Sequence, residues 1–163
     1  MAKAKRAVPQ GYYTVTPSLV LDDTTLALEW YKKTFGAEEL SRASGPDGKV
    51  MHAELRIGNS RIMLNDAMMG GTKSPKAYGG SPTSLWLYVD DCDVMFNRAV
   101  AAGAEVQMAV ADAFWGDRFG AVVDPFGHRW SFATRKEDLT PDEVDQRQRE
   151  WLRKLAASGP SGS

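Results

Sequence analysis

His52 and Glu54 lie two apart in Val50-Met-His-Ala-Glu-Leu-Arg-Ile57, a run in which polar and apolar residues alternate. On a strand, that spacing puts both side chains on one face. An imidazole beside a carboxylate can act as a general base near neutral pH, the carboxylate fixing its orientation. The same pair also suits a solvated sheet face. Trp86 and Tyr88 repeat the spacing in Ser84-Leu-Trp-Leu-Tyr88, with Trp115 and Phe119 further along as possible rims. Aromatic rings in such a row offer a stacking wall for a flat or cationic ligand, or else pack under a neighbouring helix or loop. Asp117-Arg118 either orients an anionic ligand through the guanidinium fork or forms an internal ion pair that shapes the Trp115 loop. Cys92 is the one cysteine, near the start of a helix with no His or basic neighbour in sequence, and reads as an inert thiol.

Composition narrows the classes. The 163 residues suit one domain with a proper core, and 20 basic against 21 acidic residues leave no cationic surplus for nucleic acid. No stretch approaches the roughly 18 apolar residues of a membrane span. The basic opening Met1-Ala-Lys-Ala-Lys-Arg6 has no apolar run behind it, so it is not read as a secretory signal. A lone cysteine fits a reducing compartment, and the expected location is the cytoplasm.

The elements that must position these side chains follow from periodicity. Tyr13–Leu21 reads as a strand, and Asp22 and Asp23 cap a helix carrying Leu26, Trp30, Tyr31 and Phe35 that Gly36 ends. Strands are expected at Glu38–Ala43, Val50–Ile57 and Arg61–Asp66. After a connection at 67–82, long enough to be a functional loop or a linker, the order repeats. Ser84–Val89 is a strand, Asp90-Asp91 precede a helix over Val94–Ala102, and strands follow at Glu105–Val110, Arg118–Asp124 and Arg129–Ala133. Leu19-Val-Leu-Asp-Asp23 and Leu87-Tyr-Val-Asp-Asp91 match at an offset of 68, as do Arg61-Ile-Met-Leu64 and Arg129-Trp-Ser-Phe132. Matches in order at a nearly constant offset mark a duplicated β-α-β-β-β unit. Thr140-Pro-Asp-Glu143 carries the capping-box pattern and opens a last helix with Val144, Trp151, Leu152 and Leu155 along one stripe. That stripe needs cover, from its own domain or from a second subunit.

Alternation gives each sheet two faces. Leu19, Leu21, Met51, Ala53, Leu55, Ile57, Ile62, Leu64, Leu85, Leu87, Val89, Trp130 and Phe132 form an apolar face expected to lie under the helices. The opposite face holds Thr16, Ser18, His52, Glu54, Arg56, Arg61, Met63, Asn65, Ser84, Trp86, Tyr88, Arg129 and Ser131. A few polar groups among aromatics are what small-molecule pockets present.

Thr16-Pro-Ser-Leu-Val-Leu-Asp22, Leu28-Glu-Trp-Tyr-Lys-Lys-Thr-Phe-Gly-Ala37, and Trp115-Gly-Asp-Arg-Phe-Gly120 running into Asp124-Pro-Phe-Gly-His-Arg-Trp130 resemble the vicinal oxygen chelate superfamily. That superfamily includes glyoxalase I, extradiol dioxygenases and bleomycin-resistance proteins, and the chain looks most like its PhnB-like branch. The resemblance spans Tyr12 to Thr134. It implies an α+β fold of two tandem βαβββ modules whose mixed sheet curves around a cleft, often in a homodimer. The chain then divides into an extension at 1–11, modules at 12–66 and 83–134 joined by the loop, a C-terminal helix at 139–157 and a disordered tail at 158–163. Metal-using members carry ligands at positions that fall here on Thr16, Met63, Ser84 and Ser131. Two hydroxyls, a thioether and another hydroxyl are a poor set for Zn, Ni, Fe or Mn. His128 sits in a turn, solvated or packed there, so no metal and no other cofactor is expected. The expectation is a metal-free small-molecule-binding protein whose ligand meets Trp86, Tyr88, Met63, Thr16, Ser84, Ser131, Arg118 and Trp115. Its rivals are a metal-independent enzyme using His52 and Glu54 on a carbonyl-type substrate and, less favoured, a metalloenzyme with atypical ligands.

Overall fold

Each helix of the duplicated unit starts on an aspartate. Asp23 Oδ1 accepts from the Leu26 N–H at 2.9 Å, and Asp91 Oδ1 from the Val94 N–H at 3.0 Å. These contacts come from a computed structural model, which describes residues 4–68 and 71–158. Met69 and Gly70 of the connecting loop, the first three residues of the extension and the expected tail at Gly159–Ser163 lie outside the described residues.

The elements run β1 (Ser18–Leu21), α1 (Thr24–Phe35), β2 (Glu38–Ser44), β3 (Val50–Ile57), β4 (Ser60–Asp66), β5 (Ser84–Tyr88), α2 (Cys92–Ala101), β6 (Glu105–Asp112), β7 (Asp117–Val123), β8 (Arg129–Arg135) and α3 (Pro141–Ala157). They form two four-stranded mixed sheets, ordered β1-β4-β3-β2 and β5-β8-β7-β6. Two tandem βαβββ modules and a C-terminal helix are therefore present. The chain divides into two compact units, Met1–Thr83 with Asp124–His128, and Ser84–Val123 with Arg129–Ser163.

The duplication holds at single hydrogen bonds. Ser18 pairs with Met63 in the first sheet, and Trp86 with Ser131, each 68 residues on, in the second. The last residue of β4, Asp66, accepts the N–H of Thr24, the first residue of α1, at 2.7 Å. Its counterpart Thr134 accepts the N–H of Cys92, the first residue of α2, at 2.8 Å. So each of these strands carries, at or next to its last residue, an acceptor for its own module's helix, which fixes where that helix leaves the sheet.

In the first unit, α1 buries Thr24, Ala27, Leu28, Tyr31, Thr34 and Phe35. Those positions lie on one stripe of a 3.6-residue period, and Leu26 falls off it, 60% exposed. Gly36 ends α1 at φ 66°, a left-handed conformation costly for any residue with a Cβ. Asp124 accepts the Tyr31 hydroxyl at 2.6 Å and the N–H groups of Phe126 and His128 at 2.9 Å each. Two stretches that carried the resemblance thus meet in one buried cluster, with Trp30 and Tyr31 edge-on to Phe126.

The strand expected from Tyr13 shortens to Ser18–Leu21 because Pro17 has no N–H to donate. Its carbonyl still accepts the Met63 N–H at 2.9 Å and opens the ladder. Thr16 therefore sits outside β1, with its hydroxyl on the Tyr13 carbonyl. Met51, expected in the core, is 57% exposed. Pairing passes from Ala43↔His52 to Ser44↔Val50, so Met51 is an inserted residue and Val50 takes the buried place. Matching irregularities mark β6 against β7, between Val106 and Met108 and between Met108 and Ala111. The 67–82 connection contains a 3₁₀ turn at Pro75–Tyr78, anchored by buried Ser74 and Pro75.

In the second unit, Trp130, Phe132 and Val122 are buried. Phe96 of α2 lies over Gly120, where a Cβ would come within 3.0 Å of its ring. Leu85 and Leu87 share this face but stay half-buried, a partial correction: β5 ends its sheet and has a strand on one side only. The α3 start carries the full capping box, Thr140 and Glu143 each serving the other's backbone. No residue of α3 is buried, and Trp151, Leu152 and Leu155 are 48, 49 and 55% exposed. Arg147 pairs with Glu137 and Trp151 meets Phe114, so the helix is tethered without its stripe being covered.

Candidate functional site

The polar face of the second sheet is an aromatic floor. Register aligns Trp86, Ser131 and Ala121 in one row, and Tyr88, Ala133 and Phe119 in the next. Small residues at Ser131 and Ala133 on the central strand β8 leave room above them. Trp86 stacks on Phe119 across that strand, centroids 5.0 Å apart and planes at 29°. Trp115 joins Phe119 at 5.3 Å and Tyr88 flanks Trp86 at 6.3 Å. The cover explains why Ser131 is buried although its row carries half-exposed Trp86.

Asp117 closes one end of the floor. It is 2% exposed, and its Oδ2 accepts the Tyr88 hydroxyl at 2.9 Å and the Trp115 indole N–H at 3.0 Å. Its Oδ1 has no hydrogen bond and lies 3.7 Å from Arg135 Nη1. The hydrogen bond to Asp117, and then burial, raise the Tyr88 pKa above the ordinary tyrosine value. A group whose pKa is raised by folding stabilises the fold below its unfolded pKa and loses that contribution as pH rises through the folded one. A difference titration at 295 nm between the native protein and Tyr88→Phe should therefore place this phenol's ionisation above pH ~10. Asp117→Asn should move it back down; an unmoved titration would sever the link.

Arg118, expected beside the ligand, lies on the opposite face. Its Nε and Nη2 hold Asp93 at 2.7 and 2.8 Å, and its Nη1 holds Asp112 at 3.1 Å. These partners occupy its fork, so Arg118 clamps α2 to β6 and β7, and of the two roles open to it the internal ion pair is the one formed. Cys92 is buried and donates its S–H to the Arg118 carbonyl at 3.2 Å.

In the first unit the polar face collects charge instead. His52 Nε2 is 3.3 Å from Glu54 Oε1, and Arg61 Nη1 is 3.8 Å from Glu54 Oε2. Tyr12, from the segment before β1, lays its ring on the Arg61 guanidinium at 5.0 Å. Its hydroxyl makes no hydrogen bond of ordinary geometry, yet burial and then the nearby Glu54 carboxylate raise the Tyr12 pKa above the ordinary tyrosine value. Tyr12, then His52 and Arg61, hold the Glu54 carboxyl below the usual glutamate range against the opposing effect of burial. His128 is turn-packed, its Nε2 3.0 Å from the Val20 carbonyl. It also lines a cleft of about 460 Å³ with Ser18, Val20, Lys73 and Tyr78.

The sequence profile of the Glyoxalase/Bleomycin resistance protein/Dioxygenase superfamily matches residues 13–132. The chain belongs to this superfamily. The uncharacterized protein Rv0887c of Mycobacterium tuberculosis is 46% identical over 134 residues, covering 80% of this chain and 79% of that protein. The crystal structure of TioX from Micromonospora sp. ML1 superposes with a TM-score of 0.59 at 28% identity, over 78% of this chain and all of that one. The PhnB protein of Bacillus cereus shares the fold at a TM-score of 0.60 and 19% identity, over 75% of this chain and 99% of that one.

The positions that the resemblance assigned to metal ligands are Thr16, Met63, Ser84 and Ser131. Thr16 gives its hydroxyl to a carbonyl, Met63 offers a thioether, and Ser84 Oγ and Ser131 Oγ bond each other at 3.1 Å. Thr16 and Met63 belong to one unit, and Ser84 and Ser131 to the other. Among the described residues, no three His, Cys, Asp or Glu side chains gather in a group able to hold an ion. A thioether and neutral hydroxyls do not fit a Zn, Ni, Fe or Mn centre. Sequence reasoning singled out the aromatic wall and the serine pair. It missed Tyr12 and Arg135; for Arg135, the two-residue alternation of β8 was a usable signal, and for Tyr12 there was none.

Proposed function

We propose that this protein binds a small molecule on the aromatic floor of its second module and does so without a resident metal, as a bleomycin-resistance-type member of its superfamily. The single observation that carries this is the stack of Trp86 on Phe119 with Tyr88 and Trp115 beside it, half-open to solvent. Apolar ring area of this kind, positioned by a buried Asp117, is costly to leave wet and suited to a planar ligand. A thermal-shift screen of aromatic compounds tests it. Some compound should raise the melting temperature of the native protein and leave that of Trp86→Ala unmoved; if every stabiliser acts equally on the variant, the floor is not the site. Elemental analysis of protein purified without chelator checks the metal half, which near-stoichiometric Fe, Ni, Zn or Mn would overturn. The same reading takes the working form to be a cytoplasmic homodimer. The uncovered α3 stripe supports it, since its acidic start (Asp142, Glu143, Asp145) complements its basic second half (Arg149, Arg153, Lys154) in an antiparallel pair.

The 3.3 Å contact of His52 with Glu54 favours a second reading, proton transfer on a carbonyl-type substrate. Glu54 is shared with Arg61 and Tyr12, which suits a fixed charged network better than a proton carrier. Any turnover that survives His52→Ala unchanged removes this reading.

A further inference from the structure

Arg129 heads the row of side chains that β8 presents to the aromatic floor. Residues 129, 131, 133 and 135 of a strand project together. The register pairs Ser84 with Arg129, and the Ser84–Ser131 hydroxyl contact at 3.1 Å shows this end of the two strands facing the same way. Arg129 is half-buried, and among the described residues it has no hydrogen-bond or ion-pair partner. Arg118 holds Asp93 and Asp112, and Arg135 holds Asp117 and Asp138. Of the acidic side chains on this face, Asp117 pairs in register with Arg135, six residues along the strand from Arg129 and so roughly 20 Å away, and Glu105 shares Arg129's row through Val123 but stands two strands off, about 10 Å.

A half-buried guanidinium without a counter-ion is an unmet demand, because its five donors have lost part of their water and gained nothing in return. The serine pair adds to it. One hydroxyl proton is used between Ser84 and Ser131, and the other remains free to donate outward. Trp86 is the register partner of Ser131, so Arg129 lies on its diagonal, about 7–8 Å away. A diagonal of that length is within joint reach of an aromatic and a long side chain, so one ligand can meet both.

Building on the binding role given to this floor, we infer that the ligand is an aromatic anion. Its ring lies on Trp86, and its carboxylate or similar planar oxyanion is held by Arg129 with a hydroxyl from Ser84 or Ser131. Three matched probes separate this from aromatic binding alone: 1-naphthoate, 1-naphthamide and 1-naphthylmethylammonium, titrated calorimetrically at pH 7.5. Naphthoate should bind at least about tenfold tighter than the other two. Arg129→Gln should erase that preference while leaving naphthamide affinity within about twofold, and Arg129→Lys should keep part of it. Trp86→Ala should weaken all three. Melting curves by circular dichroism confirm that each variant is folded. Equal binding of the three probes, or tightest binding of the ammonium, overturns the anion assignment and leaves the aromatic site standing. Failure of all three to bind, or indifference to Trp86→Ala, overturns the site and the anion assignment together.

Discussion

Asp124→Ala is expected to lower the folding free energy by about 3–5 kcal/mol, the largest single loss outside the apolar core. The side chain is 3% exposed and serves the Tyr31 hydroxyl and two backbone N–H groups at once. Alanine leaves those donors buried with nothing to accept from them, and an unsatisfied donor costs more than its bond contributed. Tyr31→Phe removes one donor together with its demand, so about 1–2 kcal/mol is expected there. The double variant should be little worse than Asp124→Ala, since the pair shares one bond. Urea titrations followed by circular dichroism at 222 nm measure all three. If Asp124→Ala costs no more than Tyr31→Phe, the backbone half of the cluster is not structural.

Asp66→Ala is the second large effect, about 3–4 kcal/mol. Its two oxygens take the Thr24 and Val50 N–H groups at 2.7 Å each, tying the first turn of α1 to the start of β3. A helix N-terminus also favours a negative group there. The duplicated architecture supplies a comparison in Thr134, which accepts one N–H at the same place in the second module and donates its hydroxyl to the Val89 carbonyl at 2.9 Å. Thr134→Ala should cost about 1–2 kcal/mol. The same urea series decides it, and equal losses at the two positions would mean that the charged, two-oxygen acceptor of Asp66 gives no advantage over a hydroxyl.

How much of this was legible depended on the range of the interaction concerned. Thr140-Pro-Asp-Glu143 announced its capping box because every partner lies within one helical turn. The caps at Asp23 and Asp91 were readable for the same reason. Alternation placed Trp86, Tyr88 and Ser131 on one face, since a strand projects its side chains strictly by twos. It failed at Met51, where the neighbouring strand sets the count and one inserted residue flips the pattern. Arg118 was left between two roles because Asp93, which decides the matter, lies 25 residues away on another element. The stacking of Trp86 on Phe119 was out of reach too: it needs two small residues on the strand between them.

The register breaks along β2 and β6 have a consequence of another kind. Each of these strands ends its sheet, with one row of backbone donors and acceptors unmatched by a further strand. A flat edge of that sort is a template for joining another chain's edge, the first step towards aggregation. Both strands break register twice along their length, and β2 carries Glu38, Glu39 and Arg42 as well. An incoming strand cannot follow a ladder whose spacing changes every few residues. The irregularities that obscured the sequence pattern thus work as guards, keeping two open sheets from growing at their margins.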